Sequence, residues 1–171
     1  YFAALGELGL VKGIAHTDRV MDARFLEAVR TGAVQELARA EGVDRERLLA
    51  LSPQLVFDHP FGGGEGSGTG GGNTVCVAEY LEEHPLGRAE WIRFFGILLG
   101  KEALADSAFA AIEHRYGFLR DQGRHIPQMP TVLFGSHWNG AWYVPPGNSY
   151  MATLLRDAGG RYSFADSSAN G

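Results

Sequence analysis

Between residues 86 and 122 the chain carries its longest helix-forming stretch, which limits the fold more than any other feature. Trp91, Phe94, Phe95 and Leu98 recur at helical spacing and form one apolar face. His84-Pro85 opens this run, Gly100 interrupts it, and Leu104, Ala108, Ala111, Ile112 and Phe118 continue it. An unbroken helix over 101–122 would be about 33 Å long, enough to bridge two lobes. Gly123 is its expected stop.

The flanking segments alternate helix and strand. Residues 1–10 read as the end of a helix, with Phe2, Leu5 and Leu8 apolar and Gly9 and Gly13 after them. Residues 22–30 read as a short helix stopped by Gly32. Asp44 caps another over 45–51, which Ser52-Pro53 breaks. Residues 55–57 and 74–78 read as strands. No hairpin pattern joins them, so a parallel pair is expected, and such a pair normally needs a helical crossover. Glycine dominates the intervening tract 62–72, and each glycine costs a helix about 1 kcal/mol relative to alanine. Residues 130–134 read as a strand, 135–140 as a polar and aromatic loop, and 141–144 as a short strand. Asn148 or Ser149 caps a helix over 150–158, and 162–164 reads as a last strand. The order is that of an α/β protein.

Composition removes several function classes. The net charge is −5, and Lys and Arg form no basic stripe, so nucleic acid is not an expected partner. No apolar run reaches the ~18 residues of a membrane-spanning helix. The single cysteine, Cys76, allows no internal disulfide.

Catalytic and metal motifs are equally thin. The glycine tract lacks G-x-x-x-x-G-K-[ST], and residues 96–101 fail the same pattern by spacing and by Glu102. Gly66-Ser67-Gly68 lies in that tract rather than on a strand-to-helix turn, so it makes no nucleophile elbow. His16, His59, His84, His114, His125 and His137 form neither H-x-x-x-H nor H-E-x-x-H. Neither an enzyme, a resident cofactor nor a metal site is expected.

Ser136-His137-Trp138-Asn139-Gly140-Ala141-Trp142-Tyr143 is the informative stretch. Two indoles and a phenol follow a strand, at the carboxyl end where open α/β sheets bind ligands. They are either a satellite core under a loop or an aromatic wall for a large planar ligand. The residues alone leave both readings open.

Longer blocks carry a resemblance. Glu79-Tyr-Leu-Glu-Glu-His-Pro-Leu-Gly-Arg-Ala-Glu-Trp-Ile-Arg-Phe-Phe-Gly, then Gly100-Lys-Glu and Ala105-Asp, is similar to the middle of the iron-siderophore, haem and cobalamin periplasmic binding proteins of ABC transporters. So is Pro130-Thr-Val-Leu followed by Trp142-Tyr-Val-Pro-Pro-Gly-Asn-Ser-Tyr-Met-Ala-Thr-Leu-Leu-Arg-Asp-Ala-Gly-Gly. Leu48-Leu-Ala-Leu-Ser-Pro-Gln-Leu-Val resembles the family's helix-to-strand step. The likeness covers nearly the whole chain.

The resemblance implies two Rossmann-like lobes joined by a long linker helix, with both lobes incomplete here. It places a partial N-terminal lobe at 1–100, the inter-lobe helix at 101–123 and a partial C-terminal lobe at 124–171. The implied function is extracytoplasmic capture of an iron-siderophore, haem or cobalamin, and its delivery to a membrane permease. The ligand would bring its own iron or cobalt. The implied site is Phe61, Trp138, Trp142 and Tyr143, with His137 and Asn139 as polar contacts; Glu65 is the implied permease-docking acid. Periplasmic location, free or lipid-anchored, follows. The glycine tract stands where the family has a crossover helix. If the chain is a fragment, its bare sheet edges call for further polypeptide or a second copy. The alternative is a sensor or interaction module on the same fold with a degenerate cleft. Net charge does not choose among the ligands.

Overall fold

The structure is a computed structural model, described here for residues 1–39, 42–59 and 73–168. It divides into two compact units, Tyr1–Ala78 and Glu79–Gly171. The sequence segmentation broke the chain at 100 instead. Helix α3 (Pro85–Leu99) packs on α4 (Glu102–Arg124), so both fall in the second unit.

The first unit starts with a single turn, not the expected helix end. Leu5 N–H bonds the Tyr1 carbonyl at 2.9 Å, and then Gly6 at φ 77° turns the chain out of helical geometry. A short 3-10 turn follows at Leu8–Leu10. Strand β1 (Gly13–Ile14) pairs parallel with β2 (Gln35–Glu36) across α1 (Ala23–Arg30). Asp22 caps α1 by accepting from the Arg24 and Phe25 N–H groups. A tight antiparallel pair, β3 (Ala38–Arg39) with β4 (Gly42–Val43), leads to α2 (Arg45–Leu51). Its cap, Asp44, is buried and accepts from the Arg47 N–H at 3.0 Å. Leu5, Val34, Leu37 and Leu48 form the core of this unit. The expected parallel pair is present as β5 (Val56–Asp58) and β6 (Thr74–Cys76), in register Val56↔Thr74. Its connection holds the glycine tract, which lies outside the described residues.

In the second unit α3 and α4 form a helical hairpin. Gly100, at φ 64°, ends α3 in a left-handed cap: its N–H bonds the Ile97 carbonyl, and Lys101 N–H bonds the Gly96 carbonyl at 2.7 Å. Gly96 lies directly against the Ala105 side chain, with no room for a Cβ. Ile92, Phe95, Ala105 and Phe109 are buried along this contact. Gly123 does not stop α4. It lies one residue inside the end of α4, and its missing side chain leaves space for the backbone of 157–159.

Strand β7 (Thr131–Val132) pairs parallel with β10 (Arg161–Tyr162), joined through α5 (Tyr150–Asp157). Ser149 is the cap of α5, accepting from the Ala152 N–H at 3.3 Å. Between β7 and α5 the chain makes an antiparallel hairpin, β8 (Ser136–Trp138) and β9 (Ala141–Tyr143); β9 falls in the strand expected over 141–144, whereas β8 lies in the segment 135–140 expected as a loop. No helix among the described residues is long and apolar enough to cross a membrane.

Candidate ligand-binding site

The β8–β9 hairpin is built by its turn. Asn139 and Gly140 both take positive φ, 49° and 77°. Asn-Gly is the dipeptide that adopts such a two-residue turn at least cost, and its twist matches that of the flanking strands. The register then fixes the side-chain faces: Ser136↔Tyr143, His137↔Trp142 and Trp138↔Ala141. Because side chains alternate along a strand, Trp138 and Tyr143 share one face with Ser136, while His137 and Trp142 share the other. Trp138 and Tyr143 stand diagonally, a spacing of about 7–8 Å that long aromatic groups span.

None of these rings is sealed inside. Trp138 is 68% exposed, Trp142 55% and Tyr143 54%. That excludes the satellite-core reading in this structure. Among the described residues no other ring stacks on them. Trp142 has support on one side only, because its indole lies over Gly135. A Cβ there would fall 2.7 Å from the Trp142 Nε1 and 2.5 Å from the Tyr143 carbonyl oxygen.

The Ser136 and Tyr143 face opens on a shallow recess of about 430 Å³, lined also by Phe134, Gly135, Val144 and Pro145. Phe134 forms its fixed floor by stacking on the buried Tyr162, with ring centroids 4.3 Å apart. The Tyr162 hydroxyl donates to the Pro145 carbonyl at 2.7 Å, tying β10 to the segment that leaves the hairpin. Burial raises the Tyr162 phenol above its ordinary pKa, so it remains a donor there.

Elsewhere in the second unit, polar contacts join α3, α4 and α5. The Tyr116 hydroxyl donates to Asp157 at 2.8 Å, and the His84 Nε2 stands 3.8 Å from the same carboxylate. Burial, then the hydrogen bond to Asp157 and that group's charge, push the Tyr116 phenol well above the ordinary tyrosine range. The Arg88 guanidinium lies 4.2 Å over the Tyr150 ring and donates to the carbonyls of Glu79 and Tyr80. Asn148 donates to Glu83 at 2.9 Å. These contacts hold α5 against the start of α3.

The hairpin therefore brings together His137, Trp138, Asn139, Trp142 and Tyr143, but on two faces rather than one wall. Asn139 is the turn residue. Phe61 and Glu65 lie outside the described residues. The sequence reading missed Phe134, Ser136, Val144 and Pro145, which line the recess, and Gly135, which seats Trp142. The Asn-Gly pair between two apolar segments was the signal that could have placed them. Among the described residues no group of three or more His, Cys, Asp or Glu could hold a metal ion.

The sequence matches the family profile described as periplasmic binding protein over residues 1–170. The chain belongs to that family. Its members are binding proteins rather than enzymes. A relative of this chain, an uncharacterized lipoprotein of Methanocaldococcus jannaschii, is 28% identical over 152 residues, which is 85% of this chain and 36% of that protein. A possible iron-binding (periplasmic solute-binding) protein from Staphylococcus epidermidis has a TM-score of 0.72 at 16% identity, covering 96% of this chain and 63% of that one. The periplasmic heme-binding protein RhuT of Roseiflexus sp. RS-1 gives 0.67 at 21% identity, covering 96% and 62%. Staphylococcus aureus IsdE, complexed with heme, gives 0.63 at 15%, covering 93% and 60%. At these identities the likeness establishes the fold: the α/β, helical-linker periplasmic binding protein class expected from the sequence. The chain spans about a third of the lipoprotein's length and about three fifths of the solved structures' lengths.

Proposed function

We propose that this periplasmic binding protein captures a metal chelate outside the cytoplasm, an iron-siderophore, haem or cobalamin, and delivers it to an ABC importer permease. The observation that carries the reading is the β8–β9 hairpin, on which Trp138, Trp142 and Tyr143 are exposed and Tyr143 lines a recess. Large aromatic groups left in water at a strand end are a binding surface when a planar ligand covers them, through stacking and dispersion. His137 and Asn139 supply polar contacts, and Phe61 is assigned to the same ligand. The metal belongs to the ligand. Family membership and the lipoprotein relative support an extracytoplasmic location, free or lipid-anchored. Glu65 is assigned to permease docking, and α4, which covers nearly all of 101–123, to the inter-lobe connection.

The test is titration of the whole protein with hemin, cyanocobalamin and a panel of ferric siderophores, followed by tryptophan fluorescence. At least one should quench saturably. If all leave the emission unchanged, the binding reading is wrong.

A further inference from the structure

Residues 125–155 contain no Asp, Glu, Lys or Arg. In a chain with 20% charged residues, a stretch this long without one is not ordinary. Nor is it a buried stretch. Met129, Leu133, Trp138, Trp142, Tyr143 and Met151 are all exposed, and exposed positions are where charged side chains normally sit. The recess follows the same rule: its lining offers only the Ser136 and Tyr143 hydroxyls and backbone groups as polar partners. The Arg161 side chain, next along the chain but one, is committed to Thr131 Oγ1, with contacts of 2.8 and 3.2 Å. Arg156 is 3.9 Å from Asp157 and 3.4 Å from Thr153.

Resting on the proposed function, we infer that the hairpin takes the uncharged, apolar face of a planar metal macrocycle, of porphyrin or corrin type, rather than a polyanionic ferric chelate. A ferric tris-catecholate carries its charge on the chelating oxygens. Seating it on a surface without cations would strip those charges of water with nothing to replace it, a cost that stacking does not offset. A macrocycle face has no such charge. It gains from contact with Trp138 and Tyr143, which share one face of the hairpin, and its polar substituents remain at the rim, away from the hairpin.

The experiment measures dissociation constants of the whole protein by tryptophan quenching at low and high sodium chloride. The probes are cyanocobalamin, hemin, hemin dimethyl ester and a ferric tris-catecholate. The inference expects one of the macrocycles to bind tightest, with little dependence on salt. If hemin is that ligand, its ester should bind within a few-fold of it. Tightest binding of the tris-catecholate, weakening steeply with salt as screened ion pairs do, overturns the inference and leaves the capture function standing. So does an ester that binds more than about tenfold more weakly than hemin, the worth of a charge-assisted contact. Silence from every probe overturns this inference; the capture function falls only if the full siderophore panel is silent too.

Discussion

Two glycines of α4, six residues apart, should respond to the same substitution with opposite signs. At Gly117 nothing lies within 4 Å of the place a Cβ would occupy. Gly117→Ala therefore adds helix propensity without a clash, and should stabilise by about 0.5–1 kcal/mol. At Gly123 the added carbon would lie 2.7 Å from the Asp157 carbonyl oxygen, 2.8 Å from the Ala158 carbonyl carbon and 2.9 Å from the Gly159 nitrogen. All three are backbone atoms at the end of α5, so no rotamer relieves the contact. Gly123→Ala gains the same propensity but must push α4 and α5 apart, an overpacking cost of about 1–3 kcal/mol. The net is destabilisation by about 1 kcal/mol or more. Thermal unfolding followed by circular dichroism reads both. For a chain of this length 1 kcal/mol moves Tm by about 2–4 °C, so the two variants should bracket the parent protein. If both stabilise equally, α4 does not end against 157–159, and the packing described for the second unit is wrong.

Two further predictions concern protons and one hydrogen bond. The side-chain bond from Arg24, with the Arg24 and Phe25 N–H groups, lowers Asp22 from 3.8 to about 2. A depressed carboxylate stabilises above its ordinary value and loses that contribution as pH falls toward its folded value. The advantage of the parent protein over Asp22→Asn should hold above pH 4 and shrink toward pH 2; a constant difference in acid unfolding would contradict the assignment. Tyr116→Phe removes the 2.8 Å donor to the largely buried Asp157 carboxylate, and should cost about 1.5 kcal/mol in urea unfolding. Because the phenol is held protonated, an alkaline ultraviolet titration should find it ionising above the ordinary tyrosine range of about 10. A neutral Tyr116→Phe substitution would mean the α4–α5 contact is not made.

Much of the second unit was legible in the sequence because its elements are long or sharply punctuated. Helical periodicity placed α3 and α4 within a residue or two, and capping chemistry marked the end of α3 at Gly100 and the start of α5 at Ser149. The first unit was less legible, apart from the pairing of β5 with β6, which followed from the absence of a hairpin pattern between them. β1 to β4 are two residues each, too short for a period-two pattern to register. Gly123 misled for a tertiary reason: glycine at a helix end usually stops the helix, but here it admits another segment's backbone. In the site, the aromatic residues announced themselves, while their division between two faces depends on register, which the Asn139-Gly140 turn sets.

The proposed function turns on the aromatic hairpin meeting the ligand. The chain has three tryptophans, and the third supplies an internal reference. Trp91 lies in α3 and donates its indole N–H to Glu82 at 2.9 Å. The most direct measurement is the indole region of a nitrogen–proton correlation spectrum, with a diamagnetic gallium(III) porphyrin or cyanocobalamin added to the whole protein. The signals of Trp138 and Trp142 should move on binding while that of Trp91 stays. Movement of Trp91 with the other two unchanged would place the ligand elsewhere and contradict the account.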